Sequence, residues 1–315
     1  MGATLEAAPP GIGVVAEVAD LAFADTESDL AEALAGADVL FAWRPRSGLL
    51  EPTWERAVDL RWVQAASAGV EDLLFPGLVD SHVVLTNARG VFDDAIAEYV
   101  LGLLLTFSKG LPGVLERQRR REWSDRDTER LAGKRLLVVG VGSIGRAIGK
   151  ACKAIGMTVR GVGTAARGGD AVFARVVGSE DLADACAWAD VVVNALPATP
   201  ETRQRFDEEV FAAMRPSTRF VNIGRGSTVD ERALVLALEE GRLAGAALDV
   251  FEREPLPQDS PLWDMSNVIV SPHVSGNFAG WREAVVVLFV ENLQRYLTGR
   301  PLRNVVDKER GYVPA

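Results

Sequence analysis

Only two histidines occur among the 315 residues of the chain, so imidazole groups able to move a proton near neutral pH are scarce. His82 opens an apolar run, 82–86, and reads as structural. His273 instead follows the run 268–270 in Ser271-Pro272-His273, where the carboxyl end of a strand meets a loop. Two further segments end apolar runs in the same way, Asn222-Ile223-Gly224-Arg225-Gly226 and Asp249-Val250-Phe251-Glu252-Arg253-Glu254-Pro255. Ligands of open α/β sheets bind outside the carboxyl ends of the strands, so an Arg, a Glu and a His placed there can converge although far apart in the chain. An imidazole can pass a proton, a carboxylate can orient it, and a guanidinium can hold an anionic substrate. Each of the three taken singly has a bland reading as a surface charge; taken jointly, that reading loses weight.

A phosphate-binding signature precedes them. Directly after the run 135–139 stands Gly140-Val141-Gly142-Ser143-Ile144-Gly145, followed by a helical pattern to Ala154. GxGxxG alone is weak, but in a strand–turn–helix context each glycine has a reason to be there. Gly140 permits the tight turn, Gly142 the close approach of a pyrophosphate, and Gly145 the packing of helix on strand. The amides around Ser143 and Ile144 would then face the anion at the helix N-terminus. The acidic residue that bonds the ribose 2′-hydroxyl in NAD-selective sites is missing. The second strand ends Val162-Gly163-Thr164-Ala165-Ala166-Arg167, and no Asp or Glu occurs until Asp170. NADP(H) is therefore acceptable beside NAD(H), and the balance tips toward NADP(H), with Thr164 and Arg167 placed to meet a 2′-phosphate. Arg167 reads equally well as a solvated loop charge.

The elements that must carry these residues are legible as βα alternation. From Lys134 onward, apolar runs at 135–139, 157–162, 191–196, 219–223, 246–250 and 267–270 alternate with helical patterns at 143–154, 201–214 and 229–240, the last closed by Gly241. Six such strands with crossovers predict a doubly wound parallel sheet of Rossmann type. Runs at 37–43, 60–64 and 82–86 predict a smaller α/β domain, whose opening has room only for a short strand and helix before Leu21. Long helical patterns at 93–107 and 280–297 are expected to carry the chain across and back. The expected organisation is a substrate domain of residues 1–102 and 281–315, with a dinucleotide domain of residues 103–280 inserted in it. The cleft between the two would be the default ligand site.

Composition excludes other classes. The chain is 48% hydrophobic and 25% charged with net charge −10, a globular balance whose field repels nucleic acid and anionic membranes. The run Arg117, Arg119, Arg120, Arg121 is too short to reverse this and reads as a solvated helix face or a dimer contact. Cys152 and Cys186 lack disulfide-scaffold or metal-ligand spacing, and no metal is expected. No targeting leader or membrane span is visible, so a cytoplasmic protein is expected.

With these residues in view, nearly the whole chain resembles the D-isomer-specific 2-hydroxyacid dehydrogenase family, including its glyoxylate/hydroxypyruvate reductases. The resemblance is carried by Ser67-Ala68-Gly69-Val70-Glu71, residues 87–105, the glycine fingerprint, Ala195-Leu196-Pro197, residues 222–226, 246–257 and 271–276. It implies a flavodoxin-like substrate domain around the inserted Rossmann domain, and an Arg, Glu and His trio falling on Arg225, Glu254 and His273. Arg225 would hold the substrate carboxylate and polarise the C2 oxygen, and His273 would donate a proton during reduction. Glu254 would favour the protonated imidazole and fix its orientation. The resemblance further places the substrate carboxylate on the amides of Ala68 and Gly69. Trp43 is either a pocket wall or a core or rim tryptophan. Cofactor contacts are implied at Leu196, Pro197, Ile223, Gly224, Asp249 and Gly276, with Asp249 open to the alternative of bonding local backbone. A homodimer through the helices spanning 93–123 is also implied. The function expected is hydride transfer between NAD(P)(H) and C2 of a small 2-keto or 2-hydroxy acid, D-specific by family and favouring reduction. The competing reading is a dinucleotide-sensing binding protein of the same fold without significant turnover.

Overall fold

The computed structural model describes residues 1–45 and 48–314. The chain divides into two compact units, one comprising Met1–Phe92 together with the segment from Phe278 onward, the other Asp93–Asn277.

The first unit contains helix α1 (Glu27–Ala33), strands β1 (Val39–Ala42) and β2 (Trp62–Ala65), helix α2 (Pro76–Val79) and strand β3 (Val84–Thr86). The strands form a parallel sheet in the order β1-β2-β3, with Val39 opposite Trp62 and Trp62 opposite Val84. β2, the central strand, is buried along its whole length, as a parallel strand covered on both faces must be. The residues before Asp20 form no strand; a 3-10 turn, Ile12–Glu17, begins after Gly11 at φ 78°. The expected opening strand is thus replaced by backbone pairing of Met1, whose carbonyl accepts from Trp43 N at 3.0 Å.

The second unit begins with α3 (Asp93–Lys109) and α4 (Leu111–Arg120) and continues through β4 (Arg135–Val139), α5 (Ser143–Ala154), β5 (Thr158–Gly163) and β6 (Val176–Gly178). It proceeds through α6 (Leu182–Trp188), β7 (Val191–Asn194), α7 (Glu208–Ala213), β8 (Arg219–Asn222), α8 (Glu231–Glu239), β9 (Gly245–Leu248) and β10 (Val268–Val270). The final helix of the chain, α9 (Trp281–Leu297), belongs to the first unit. α3 is one unbroken helix, with Asp93 and Asp94 in its first turn and Lys109 in its last, each on the favourable end of the helix dipole. Residue 102, the domain limit expected from sequence, lies inside it; the division between the units comes at its start.

Seven parallel strands run in the order β10-β9-β8-β7-β4-β5-β6, the doubly wound α/β arrangement, with one strand more than the six foreseen. β4 lies between β5 and β7, so strand order reverses at β4, next to the glycine turn. Helices pack in two sets, α3 on α5, and α6 on α7 on α8. Phe206, Phe211 and Phe220 fill the core beneath the second set, all fully buried, each contributing about 1.5–3 kcal/mol of apolar burial. Asp207 and Asp230 cap α7 and α8 through the amides of Val210 and Ala233, worth about 1 kcal/mol apiece.

Candidate active site

The carboxyl ends of β8, β9 and β10 are neighbours in the sheet, and Arg225, Glu254 and His273 leave from the loops that follow them. His273 Nδ1 and Glu254 Oε2 stand 2.8 Å apart, and Glu254 Oε1 also accepts from Phe251 N at 3.2 Å. With Nδ1–H donated to the carboxylate, Nε2 is the ring atom left for proton exchange with a ligand. Both side chains are about two-thirds covered, His273 being 31% and Glu254 27% exposed, so their attraction is screened less than that of a surface pair.

His273 adopts φ 55°, a left-handed conformation costing a non-glycine residue about 1–3 kcal/mol unless its surroundings enforce it. Asp249 supplies the enforcement. Its Oδ1 accepts from Ser271 Oγ at 2.6 Å and Val274 N at 2.9 Å, its Oδ2 from Ser275 N at 2.8 Å, and its carbonyl from His273 N at 2.8 Å. This buried carboxylate therefore wraps the loop that carries the imidazole, which is the local-backbone alternative for Asp249.

The Arg225 loop is pressed against the Glu254 loop. A Cβ at Gly226 would lie 1.8 Å from the carbonyl carbon of Phe251, so only glycine allows that approach. Arg225 donates from Nη1 to Gly224 O at 2.8 Å. Gly224 itself packs on the backbone of Leu196, whose oxygen would sit 2.6 Å from an added Cβ; Ile223 is buried, and Pro197 lies on the same turn.

At the opposite side of the reversal point, Gly140 has φ 101° and a Cβ there would come within 2.7 Å of Ala195 O. A Cβ at Gly145 would meet Gly140 O at 1.9 Å, whereas one at Gly142 would meet nothing within 4 Å. Gly140 and Gly145 are thus required by packing, and the space before Gly142, the N-cap of α5, is open. That is the shape and polarity a pyrophosphate needs, so these residues fit a dinucleotide. Ser143 Oγ also bonds Asp93 Oδ1 at 3.4 Å, while Gly276 is partly exposed in the loop beyond His273.

Thr164 and Arg167 are exposed in the loop after β5. Arg167 is tied by Nη1 to Asp170 Oδ2 at 2.9 Å, and Arg146 Nη1 reaches the same oxygen at 2.8 Å. Asp170 Oδ1 accepts from Val172 N and Phe173 N at 2.8 and 3.0 Å. Arg146 first, then Arg167 and the two amides, hold this carboxyl well below the usual carboxylate range. The first acidic residue after β5 is therefore committed to two arginines and a turn rather than left to bond a ribose hydroxyl. Arg146 and the anchoring role of Asp170 were missed from sequence, since neither sits in a motif.

Asn194 and Thr228 were also missed, and Asn222 was noted only as the start of the segment ending in Gly226; all three are buried between β7, β8 and the Arg225 loop. A detectable sign existed: each asparagine is the last residue of its strand and directly follows an apolar pair, Val192-Val193 or Phe220-Val221.

Ala68, Gly69 and Trp43 lie in the first unit. The carbonyls of Ser67, Ala68 and Gly69 accept from Ala88 N, Asn87 Nδ2 and Ser67 Oγ at 2.9, 2.6 and 2.5 Å, fixing the turn. Trp43 is half-buried and stacks on Trp281 with ring centroids 6.0 Å apart, within an apolar cluster that includes Ala66, Ala88 and Phe92. His82 is exposed. Burial pushes the Cys152 and Cys186 thiols up to about 12. Among the described residues no group of three or more His, Cys, Asp or Glu side chains could hold a metal ion, and no helix is long and apolar enough to cross a membrane.

Residues 101–275 match the family model described as D-isomer specific 2-hydroxyacid dehydrogenase, NAD binding domain. The D-3-phosphoglycerate dehydrogenase of Methanocaldococcus jannaschii is 32% identical over 300 residues, 94% of this chain but only 57% of that protein, so the chain spans little more than half the length of that relative. The crystal structure of a D-isomer specific 2-hydroxyacid dehydrogenase family protein from Aeromonas salmonicida superposes with a TM-score of 0.82 at 37% identity, covering 95% of this chain and 96% of that one. The NADPH-dependent glyoxylate/hydroxypyruvate reductase of Sinorhizobium meliloti, solved with NADP and sulfate, gives 0.78 at 31% identity over 88% and 87% of the two chains.

Proposed function

The chain belongs to the D-isomer specific 2-hydroxyacid dehydrogenase family, and from that premise we propose that it reduces a small 2-keto acid, of the glyoxylate or hydroxypyruvate kind, to its D-2-hydroxy acid with NADP(H) or NAD(H). The observation that carries this reading is the His273–Glu254 pair at the carboxyl edge of the sheet, one strand from the loop of Arg225.

We assign dinucleotide binding to the unit Asp93–Asn277, with the pyrophosphate against the amides of Ser143 and Ile144. Leu196, Pro197, Ile223, Gly224 and Gly276 would line the nicotinamide end, and Asp249 would support it through the loop it wraps. The bound nicotinamide supplies the hydride that adds to C2. Arg225 holds the substrate carboxylate and draws charge onto the C2 oxygen. Within the first unit, the amides of Ala68 and Gly69 are the candidate carboxylate contacts, and Trp43 is either a pocket wall or part of the apolar cluster it packs in. His273 Nε2 delivers a proton to the oxygen as it gains charge, and Glu254, 2.8 Å from Nδ1, holds the ring in the orientation for that transfer. The reverse order of the same steps oxidises the alcohol, and reduction is favoured near neutral pH. The 2′-phosphate preference for NADP(H) is supported by Arg167 and by the commitment of Asp170 to Arg146 and Arg167. A cytoplasmic homodimer assembled through α3 and α4 completes the proposal.

The test is the initial rate of NADPH and of NADH oxidation with glyoxylate, hydroxypyruvate and larger 2-keto acids, with His273→Ala in parallel. Turnover that falls by about 10²–10⁴ in the variant, while dinucleotide affinity stays, is the expected outcome. Dinucleotide binding with no turnover of any 2-keto acid would overturn the enzyme reading in favour of a dinucleotide-sensing binding protein.

A further inference from the structure

Asn194 and Asn222 face each other in register at the carboxyl ends of β7 and β8, in strands whose other residues are mostly Val and Phe. They are 0% and 1% exposed, and Thr228, at the end of the turn after Arg225, is also 0% exposed. Buried amides and hydroxyls are costly unless each finds a partner, and here they find one another. Asn194 donates both amide hydrogens, to Asn222 Oδ1 at 2.9 Å and to Thr228 Oγ1 at 2.7 Å. Its own Oδ1 accepts from Leu196 N at 3.1 Å.

The output of this network converges on one residue. Thr228 Oγ1 donates to the Arg225 carbonyl at 2.6 Å, and Asn222 Nδ2 approaches the same carbonyl at 3.4 Å. On the other side of Arg225, Gly224 N donates to Asn222 Oδ1 at 3.1 Å. The backbone before and after the arginine is therefore clamped by one set of side chains, which is itself anchored in two adjacent strands. Strands are the stiffest support the fold offers for a side chain that must be aimed.

We propose that Asn222, Asn194 and Thr228 are positioning residues whose function is to aim the Arg225 guanidinium. The inference rests on the reading of Arg225 as the group that holds the substrate carboxylate. The three side chains do not touch substrate; they act through the Arg225 backbone. Loss of one hydrogen bond lets the 224–226 segment shift, and a misplacement of ~1 Å at a substrate-orienting group can cost ~10²-fold in rate.

The experiment measures kcat and KM for hydroxypyruvate, NADPH affinity by fluorescence titration and thermal midpoint, for Asn222→Ala, Thr228→Val and Thr228→Ser. Thr228→Val keeps the shape and removes only the hydroxyl, so it remains informative should Asn222→Ala not fold. Expected are a raised KM and a kcat/KM lowered about tenfold or more in the first two, recovery in Thr228→Ser, and, in Thr228→Val, NADPH affinity within about twofold. Arg225→Lys supplies the decisive background: there, adding Thr228→Val or Asn222→Ala should cost less than about twofold more, because the device has lost what it aims. Losses that multiply in the Arg225→Lys background, or NADPH affinity that falls together with kcat/KM in Thr228→Val, would overturn the inference. Arg225→Lys behaving as wild type would instead overturn the role of Arg225, and the positioning role with it.

Discussion

Asp170 illustrates how one side chain's partners change what a loop can do. With Oδ1 bound by two amides and Oδ2 shared by Arg146 and Arg167, the group carries two cations on one anion and keeps a net positive charge beside the end of β5. A phosphate monoester is attracted there and a ribose hydroxyl finds no unshared carboxylate oxygen. Arg167→Gln is expected to weaken NADPH binding about tenfold and to leave NADH within about twofold, read by titration of each reduced dinucleotide. Equal losses for both would mean that Arg167 only holds its loop. That an Arg, a Glu and a His end on one edge of the sheet was legible in sequence because their segments follow apolar runs, while the resemblance singled out Arg225, Glu254 and His273. Asp170 and Thr228 were not, because hydrogen-bond partners brought together by folding have no fixed spacing along the chain.

Strand and helix placement was largely legible, since buried parallel strands read as continuous apolar runs. β6 escaped because Val176-Val177-Gly178 offers only two apolar residues between Arg175 and a glycine, and its pairing with β5 is a tertiary choice. Helix α4 shows the converse, a legible element whose role depends on what covers it. It has no buried residue, and Leu111, Val114 and Leu115 are 42%, 43% and 53% exposed, with Trp123 just beyond it fully exposed. Arg119 and Arg120 are exposed and both pair with Glu116. An apolar stripe of this kind beside such a charged face suits a self-complementary contact. Sedimentation equilibrium should therefore give about twice the 33.8 kDa chain mass, and Leu115→Arg should shift it toward the single chain. A wild-type protein that sediments as one chain would remove α4 as a dimer surface.

Taken over the whole molecule, charge is distributed by edge of the large sheet. Its amino edge is held by ion pairs, Asp190 with Arg135 and Arg215, and Glu129 with Arg219 and Lys134. Arg219 first, and then Lys134, hold Glu129 down at about 2 against an ordinary 4.5. A carboxyl lowered by folding contributes stability that is complete above its ordinary value and is lost as pH falls through the folded one. The stability difference between wild type and Glu129→Gln should accordingly be largest near neutrality and close between about pH 4.5 and 2, as measured by urea midpoints. A difference unchanged from pH 7 to pH 3 would show that the pair contributes nothing of this kind. Sequence by itself determined the α/β class and the glycine fingerprint, because apolar periodicity and turn glycines are properties of short stretches of chain, and it put His273, one of two histidines, at the end of a strand; the choice of Arg225 and Glu254 as its companions came from the family resemblance. Only the tertiary structure decided that Asp249 wraps the His273 loop, that Asp170 binds two arginines, and that two asparagines clamp the backbone of Arg225. Those outcomes depend on which strands lie side by side, and the energy of a buried polar group is set by the neighbour that folding brings to it.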